Sequence, residues 1–235
     1  MKKEVILPNK KTFVLQLSDE VFTPTGTSDL IIDALHMNIE KPGTFLDLGC
    51  GCGIVGISAA LLDKTKDCLY ASDLSKAATE LVNRNCAEYN IEVDSRYGSV
   101  FDPWDGMKFD YISDDISGVA EAVAAISPWF KNTSCASGAD GSDLTIDVIR
   151  KAPRYLNSGG KLFFPTLSFS NEDKITAAAK DCFENVELVN KKTWPLPREM
   201  AVHIDLLRNL KENGEISFEE KFGLILWSTS IFKVF

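Results

Sequence analysis

The chain has 235 residues and carries 34 acidic against 25 basic side chains, for a net charge of −9. That length suits one domain with a large core, and the negative balance argues against broad electrostatic binding of DNA or RNA. No run approaches the ~20 apolar residues a membrane span needs.

Residues 1–20 alternate loosely, as in Thr12-Phe-Val-Leu-Gln-Leu17, and predict a short strand or hairpin. Pro24 and Gly26 then break the chain, and Thr27 or Ser28 reads as the N-cap of a helix running to about Met37. From residue 43 strands and helices alternate: strand 44–48, helix 53–62, strand 67–72, helix 75–88, strand 91–98, strand 108–113 and a helix at about 118–126. A glycine-rich loop at 136–142 leads into helix 143–152, strand 160–166, helix 171–181 and strand 185–191. One helix near 199–211 precedes a last strand at about 222–232. The expectation is an α/β, Rossmann-like sheet, mostly parallel, with right-handed crossovers. The last strand has no helix of its own and inserts antiparallel. Residues 1–40 are expected to pack as an N-terminal strand and helix segment on a core at 41–235, with 193–221 an insertion that forms part of the substrate wall.

Six cysteines, at 50, 52, 68, 86, 135 and 182, lack zinc spacing, and no metal is expected. Scattered thiols, and an apolar run after Met1 too short for a signal segment, lead to the expectation of a reducing cytoplasm. Lys2-Lys3, Lys10-Lys11 and Lys191-Lys192 read as solvated edges, so nucleic acid and membrane are not expected partners.

The most informative stretch is Phe45-Leu-Asp-Leu-Gly-Cys-Gly-Cys-Gly-Ile-Val-Gly56. Glycines at a strand-to-helix turn let backbone approach a ligand closely. Two readings compete. Gly51 to Gly56 fits the dinucleotide fingerprint. Asp47, Gly49, Gly51 and Gly53, with Cys50 between, fit the acid-x-Gly-x-Gly-x-Gly loop that takes the methionine end of S-adenosylmethionine. An acid at the mouth of that loop attracts the ammonium and sulfonium of this ligand and repels a pyrophosphate, which favours the second reading. Asp73 ends the next apolar run, where a carboxylate can accept both ribose hydroxyls, with Leu74 beside it.

In such sheets the ligand lies beyond the carboxyl ends of the strands, which gathers 47–53, 73–74, 98–102, 113–118 and 164–168 around one crevice. Ser99 and Val100 stand where a short side chain and a backbone N–H can read an adenine edge, and Asp102 is a further candidate. Thr27 and Ser28 lead into the same crevice. Asp114 and Asp115 end the strand at 108–113, above the methyl donor. A carboxylate at Asp115 can accept N–H groups of a substrate and aim the nitrogen lone pair for in-line displacement, assisted by Asp114 or Ser117.

Residues 21–190 resemble the class I S-adenosylmethionine-dependent methyltransferases, and in particular their HemK-like branch, which methylates the glutamine amide of release factors. Asp47–Gly53 resembles the branch's cofactor loop and Asp73 its ribose acid. Val21-Phe-Thr-Pro24 with Thr27-Ser28 resembles the segment that closes over the cofactor. Gly98-Ser-Val-Phe-Asp-Pro103 resembles Gly-Asp-Leu-Phe-x-Pro, and Gly138-Ala-Asp-Gly-Ser-Asp143 resembles Gly-x-Asp-Gly-Leu-Asp. Where the branch has Asn-Pro-Pro-Tyr, this chain has Asp115-Ile-Ser-Gly118, a degenerate form without the prolines and the aromatic. The resemblance implies a methyltransferase catalytic domain at 41–235 that transfers a methyl to a nitrogen or oxygen of a protein side chain or small molecule. Two rivals stand beside it. One is a binding module of the same fold without turnover, acting with a protein partner. The other is an NAD-dependent oxidoreductase, for which His36 and His203, the chain's two histidines, lie outside the crevice strands.

Overall fold

A computed structural model of the protein describes residues 1–116, 118–131, 133 and 135–235. In chain order the elements are β1 (Lys2–Ile6), β2 (Thr12–Gln16), α1 (Gly26–Asn38), β3 (Gly43–Leu48), α2 (Ile54–Leu61), β4 (Thr65–Asp73), α3 (Lys76–Ala87) and β5 (Val93–Tyr97). Then come β6 (Phe109–Asp114), α4 (Glu121–Ile126), α5 (Asp143–Lys151), β7 (Leu156–Leu167), α6 (Glu172–Cys182) and β8 (Val186–Pro195). The last are α7 (Arg198–Ala201), α8 (Ile204–Glu212), β9 (Glu219–Lys221) and β10 (Leu224–Val234).

The main sheet runs β5-β4-β3-β6-β7-β10-β8, with β9 added on β10, and β1–β2 form a separate hairpin. Neighbours from β5 through β7 pair in parallel, whereas β10 is antiparallel to both β7 and β8. The expected antiparallel last strand is thus present, set inside the sheet rather than at its edge. Strand order reverses between β3 and β6, which opens a crevice at their carboxyl ends.

The central strands are buried on both faces, as a parallel sheet covered by helices must be. In β3 the two-residue side-chain period sends Phe45 and Asp47 toward α2, and Leu46 and Leu48 toward the opposite layer. Phe45, Ile57, Val82 and Ile31 belong to one core cluster; Leu46, Ile112, Val148 and Phe164 belong to the other. A third cluster joins Val119, Val123, Leu167 and Trp227 to Met200, Leu207 and Leu210 of α7 and α8. Among the described residues no helix is long and apolar enough to cross a membrane.

Three local expectations are revised. The α1 N-cap is Thr25, whose Oγ1 accepts the Thr27 N–H at 3.3 Å, so Thr27 and Ser28 sit in the first turn. The segment near 199–211 is two helices, α7 and α8, and the short strand β9 follows. Residues 196–221 do not line the crevice among the described residues; they pack behind Leu167 and Trp227, so the insertion backs the wall rather than forming it.

Asn85 ties the hairpin to the sheet. It is 1% exposed, accepts the Gln16 N–H at 2.9 Å, and donates to Gln16 O at 3.0 Å and to Cys52 O at 2.8 Å. Asn85→Ala leaves buried partners without hydrogen bonds. The expected loss is about 2 kcal/mol, read as a Tm lower by about 4–8 °C in thermal denaturation.

Candidate functional site

The carboxyl ends of β3, β4, β6 and β7 surround one cavity of about 420 Å³. Each of the five expected crevice segments contributes to its lining. The glycine loop is anchored to β4: Gly49 N–H and Cys50 N–H both donate to Ser72 O, at 2.9 and 3.1 Å. Gly49 has φ of +71°, and a Cβ there would meet Ile116 Cγ2 at 2.5 Å. Gly51 has φ of +51°, but a Cβ on it would meet nothing nearer than Val21 Cγ1 at 3.9 Å, so the bare backbone faces open cavity.

Asp73 stands against this loop. Its Oδ2 accepts the Gly51 N–H at 2.9 Å and its Oδ1 the Ser75 N–H at 2.8 Å. Each carboxylate oxygen has a second lone pair, so two hydroxyls can still be accepted. Burial raises its pKa, opposed by those two N–H groups. Leu74, Ser99 and Val100 line the cavity beside it. Val100 has φ of +45°, an outlier for a β-branched residue, of the kind that clusters at ligand clamps.

On the other side, Thr27, Ser28 and Asp115 line the cavity. Ser28 Oγ donates to Asp115 Oδ2 at 2.6 Å, and the Asp115 N–H donates to Leu48 O at 3.1 Å. Burial pushes the Asp115 carboxyl up to about 8, against the lowering effect of the Ser28 hydroxyl.

Four expected site residues stand elsewhere. Asp47 is 1% exposed; its Oδ2 accepts the Gly56 N–H at 2.9 Å and its Oδ1 the Ser113 hydroxyl at 2.8 Å. It does not lie at the mouth, because strand alternation turns it to the first turn of α2, where burial pushes its pKa to about 7. Gly53 precedes α2 with φ of +86°, packed against Val82, and shapes the turn rather than the cavity surface. Asp114 is fully buried behind the cavity; its Oδ1 accepts the Ile116 N–H at 3.1 Å, its Oδ2 has no hydrogen-bond partner among the described residues, and burial raises its pKa to about 7. Asp102 is exposed and opens a 3₁₀ turn ending at buried Trp104. Ser117 lies outside the described residues.

Sequence reasoning missed an aromatic wall made by Phe22, Trp129, Phe130 and Trp227. No motif spacing marks these residues, which come from three separate places in the chain. The Gly138–Asp143 segment turns out to be a brace. Asp140 accepts from Ser142 N–H and Oγ at 3.2 and 2.6 Å, and from Lys174 Nζ at 2.8 Å. A Cβ on Gly141 would run into the backbone of Val119 and Ala120, so the loop presses directly on the chain just beyond Asp115.

A sheet of this strand order, with the glycine loop and an acid at the end of the next strand, defines the class I methyltransferase fold. The T. thermophilus 16S rRNA N2 G1207 methyltransferase, solved with AdoMet and guanosine, superposes with a TM-score of 0.65 at 12% identity, over 100% of this chain and 50% of that one. Residues 21–115 match the family model described as methyltransferase small domain. The ribosomal protein uL3 glutamine methyltransferase of Bradyrhizobium diazoefficiens is 31% identical over 169 residues, 68% of this chain and 50% of that protein. The release factor glutamine methyltransferase of Geobacter sulfurreducens is 25% identical over 155 residues, 62% of this chain and 53% of that protein. The chain spans about half the length of the curated relatives it matches.

Proposed function

We propose that the chain binds S-adenosylmethionine in this cavity and transfers its methyl group to a nitrogen or oxygen nucleophile of a protein side chain or small molecule, in the cytoplasm. The observation that carries the cofactor is the pairing of Gly51, whose bare backbone faces the cavity, with the Asp73 carboxylate beside it. Asp73 would hold the ribose, Ser99 and Val100 the adenine edge, and the Gly49–Gly51 loop the methionine end. Thr27 and Ser28 would close over it.

The same residues suit a dinucleotide poorly. A pyrophosphate is held by free amides at a helix N-terminus, yet the Gly56 N–H in the first turn of α2 is already taken by Asp47. Among the described lining residues the charged groups are Glu20, Asp73 and Asp115, with no Lys, Arg or His to offset a phosphate. When bound, S-adenosylmethionine supplies a methyl carbon already activated by its sulfonium, so the protein's task is to orient the acceptor and manage its proton. Asp115, aimed by Ser28, suits that task. The glutamine-modifying names of the uL3 and release-factor relatives support a nitrogen acceptor on a protein.

Calorimetry tests the cofactor. Saturable binding of S-adenosylmethionine is expected, with no heat from NAD; the reverse pattern would return the oxidoreductase reading. Binding without any labelled-methyl transfer to cell extract would leave a partner module of this fold.

A further inference from the structure

The part of the cavity not assigned to the cofactor has its own chemistry. Phe22 and Phe130 stand with ring centroids 5.2 Å apart, and Trp129 and Trp227 with centroids 5.1 Å apart. Thr133 also lines the cavity, and its Oγ1 is buried with no hydrogen-bond partner among the described residues. The only charges among the described lining residues are carboxylates.

On the cofactor reading given above, we propose that the methyl acceptor is an amine, an ammonium ion in water, carried on an apolar or aromatic group, held by the aromatic wall and deprotonated by Asp115. An anionic acceptor would meet carboxylates and no counter-charge. Aromatic faces attract an ammonium, most strongly where water is excluded. An ammonium has no lone pair, and so needs a base before it can attack; an amide nitrogen enters uncharged and has no such need. The Ser28 hydroxyl fixes one Asp115 oxygen at 2.6 Å, leaving the other for the incoming N–H. The Thr133 hydroxyl offers a further acceptor in the same cavity. Burial raises the Asp115 carboxyl to about 8, near the range of an effective base at neutral pH, and the positive charges of the sulfonium and the ammonium favour its carboxylate form in the complex.

The step balances. The ammonium gives one proton to the Asp115 carboxylate, and the freed lone pair forms the new C–N bond. The C–S bonding pair stays on sulfur, which becomes a neutral thioether, and the positive charge ends on the methylated nitrogen.

Intrinsic tryptophan fluorescence tests the preference, with S-adenosylhomocysteine saturating and phenethylamine, phenethyl alcohol and 3-phenylpropionamide as probes. Phenethylamine is expected to bind about tenfold tighter than the alcohol or the amide. Asp115→Asn should erase that preference, and Trp129→Leu should weaken amine binding several-fold. Equal or tighter binding of the amide overturns the proposal. Labelled-methyl transfer then separates the sources. Transfer to phenethylamine marks a small-molecule amine and transfer to a short lysine peptide marks a protein side chain, either of which supports it; transfer confined to the matching glutamine peptide overturns it. If S-adenosylhomocysteine itself gives no calorimetric heat, the cofactor reading fails and this proposal falls with it. If it binds and the amine is not preferred, this proposal alone fails.

Discussion

Asp115→Ala is expected to lower the single-turnover rate of methyl transfer by about a thousandfold, the range for loss of a positioned acid–base group. The affinity for S-adenosylhomocysteine should stay within about threefold, since Asp73, the Gly49–Gly51 loop, Ser99 and Val100, which would make most of the cofactor contacts, are held without Asp115. The split follows from geometry. Asp115 lines the side of the cavity that carries Ser28 and the aromatic residues, whereas Asp73 holds the Gly51 and Ser75 amides on the other. Calorimetry and labelled-methyl transfer on the same preparation measure both quantities. Comparable losses in both would move Asp115 into the cofactor's own contacts.

The second large effect concerns stability and pH. Asp114 is 0% exposed, one of its oxygens has no hydrogen-bond partner among the described residues, and burial raises its pKa from 3.8 to about 7, with Asp47 adding to the rise. A carboxyl whose pKa is higher in the folded state than in the unfolded state holds its proton more tightly when folded. Its contribution is therefore fully present below about pH 4 and is lost as pH rises toward 7. Asp47, also raised to about 7, and Asp115, raised to about 8, act in the same direction. The ligand-free protein should thus melt at a lower temperature at pH 8 than at pH 5. Asp114→Asn keeps an acceptor for the Ile116 N–H and cannot ionise. It should flatten the curve and recover on the order of 3 kcal/mol at pH 8, measured by thermal denaturation across that pH range. A variant as pH-sensitive as the parent would show that Asp114 is not the group that titrates.

Much of the site was legible because its chemistry is local. Gly49, Gly51 and Asp73 lie within one strand–turn–helix–strand unit, where spacing along the chain fixes spacing in the fold. Asp115 was reachable because the end of a central strand points at the crevice. Asp47 shows where local reading stops. An acid two residues before the first glycine is visible in the sequence, but β3 turns its side chain toward Gly56 and Ser113, where it braces the turn instead of facing the cavity. Likewise the N-cap fell to Thr25 rather than Thr27 or Ser28, which freed Ser28 to hold Asp115. The aromatic wall could not be foreseen, since Phe22, Trp129 and Trp227 meet only after the whole sheet has assembled.

The placement of β10 also has a consequence for synthesis. Residues 224–234 slot between β7 and β8, so those two strands have no partner in common until that stretch has been made. A nascent chain halted before residue 224 would present two open strand edges, an invitation to aggregate or to recruit a chaperone. Completion of the sheet is therefore expected to wait for residues 224–234, even though the glycine loop was translated long before.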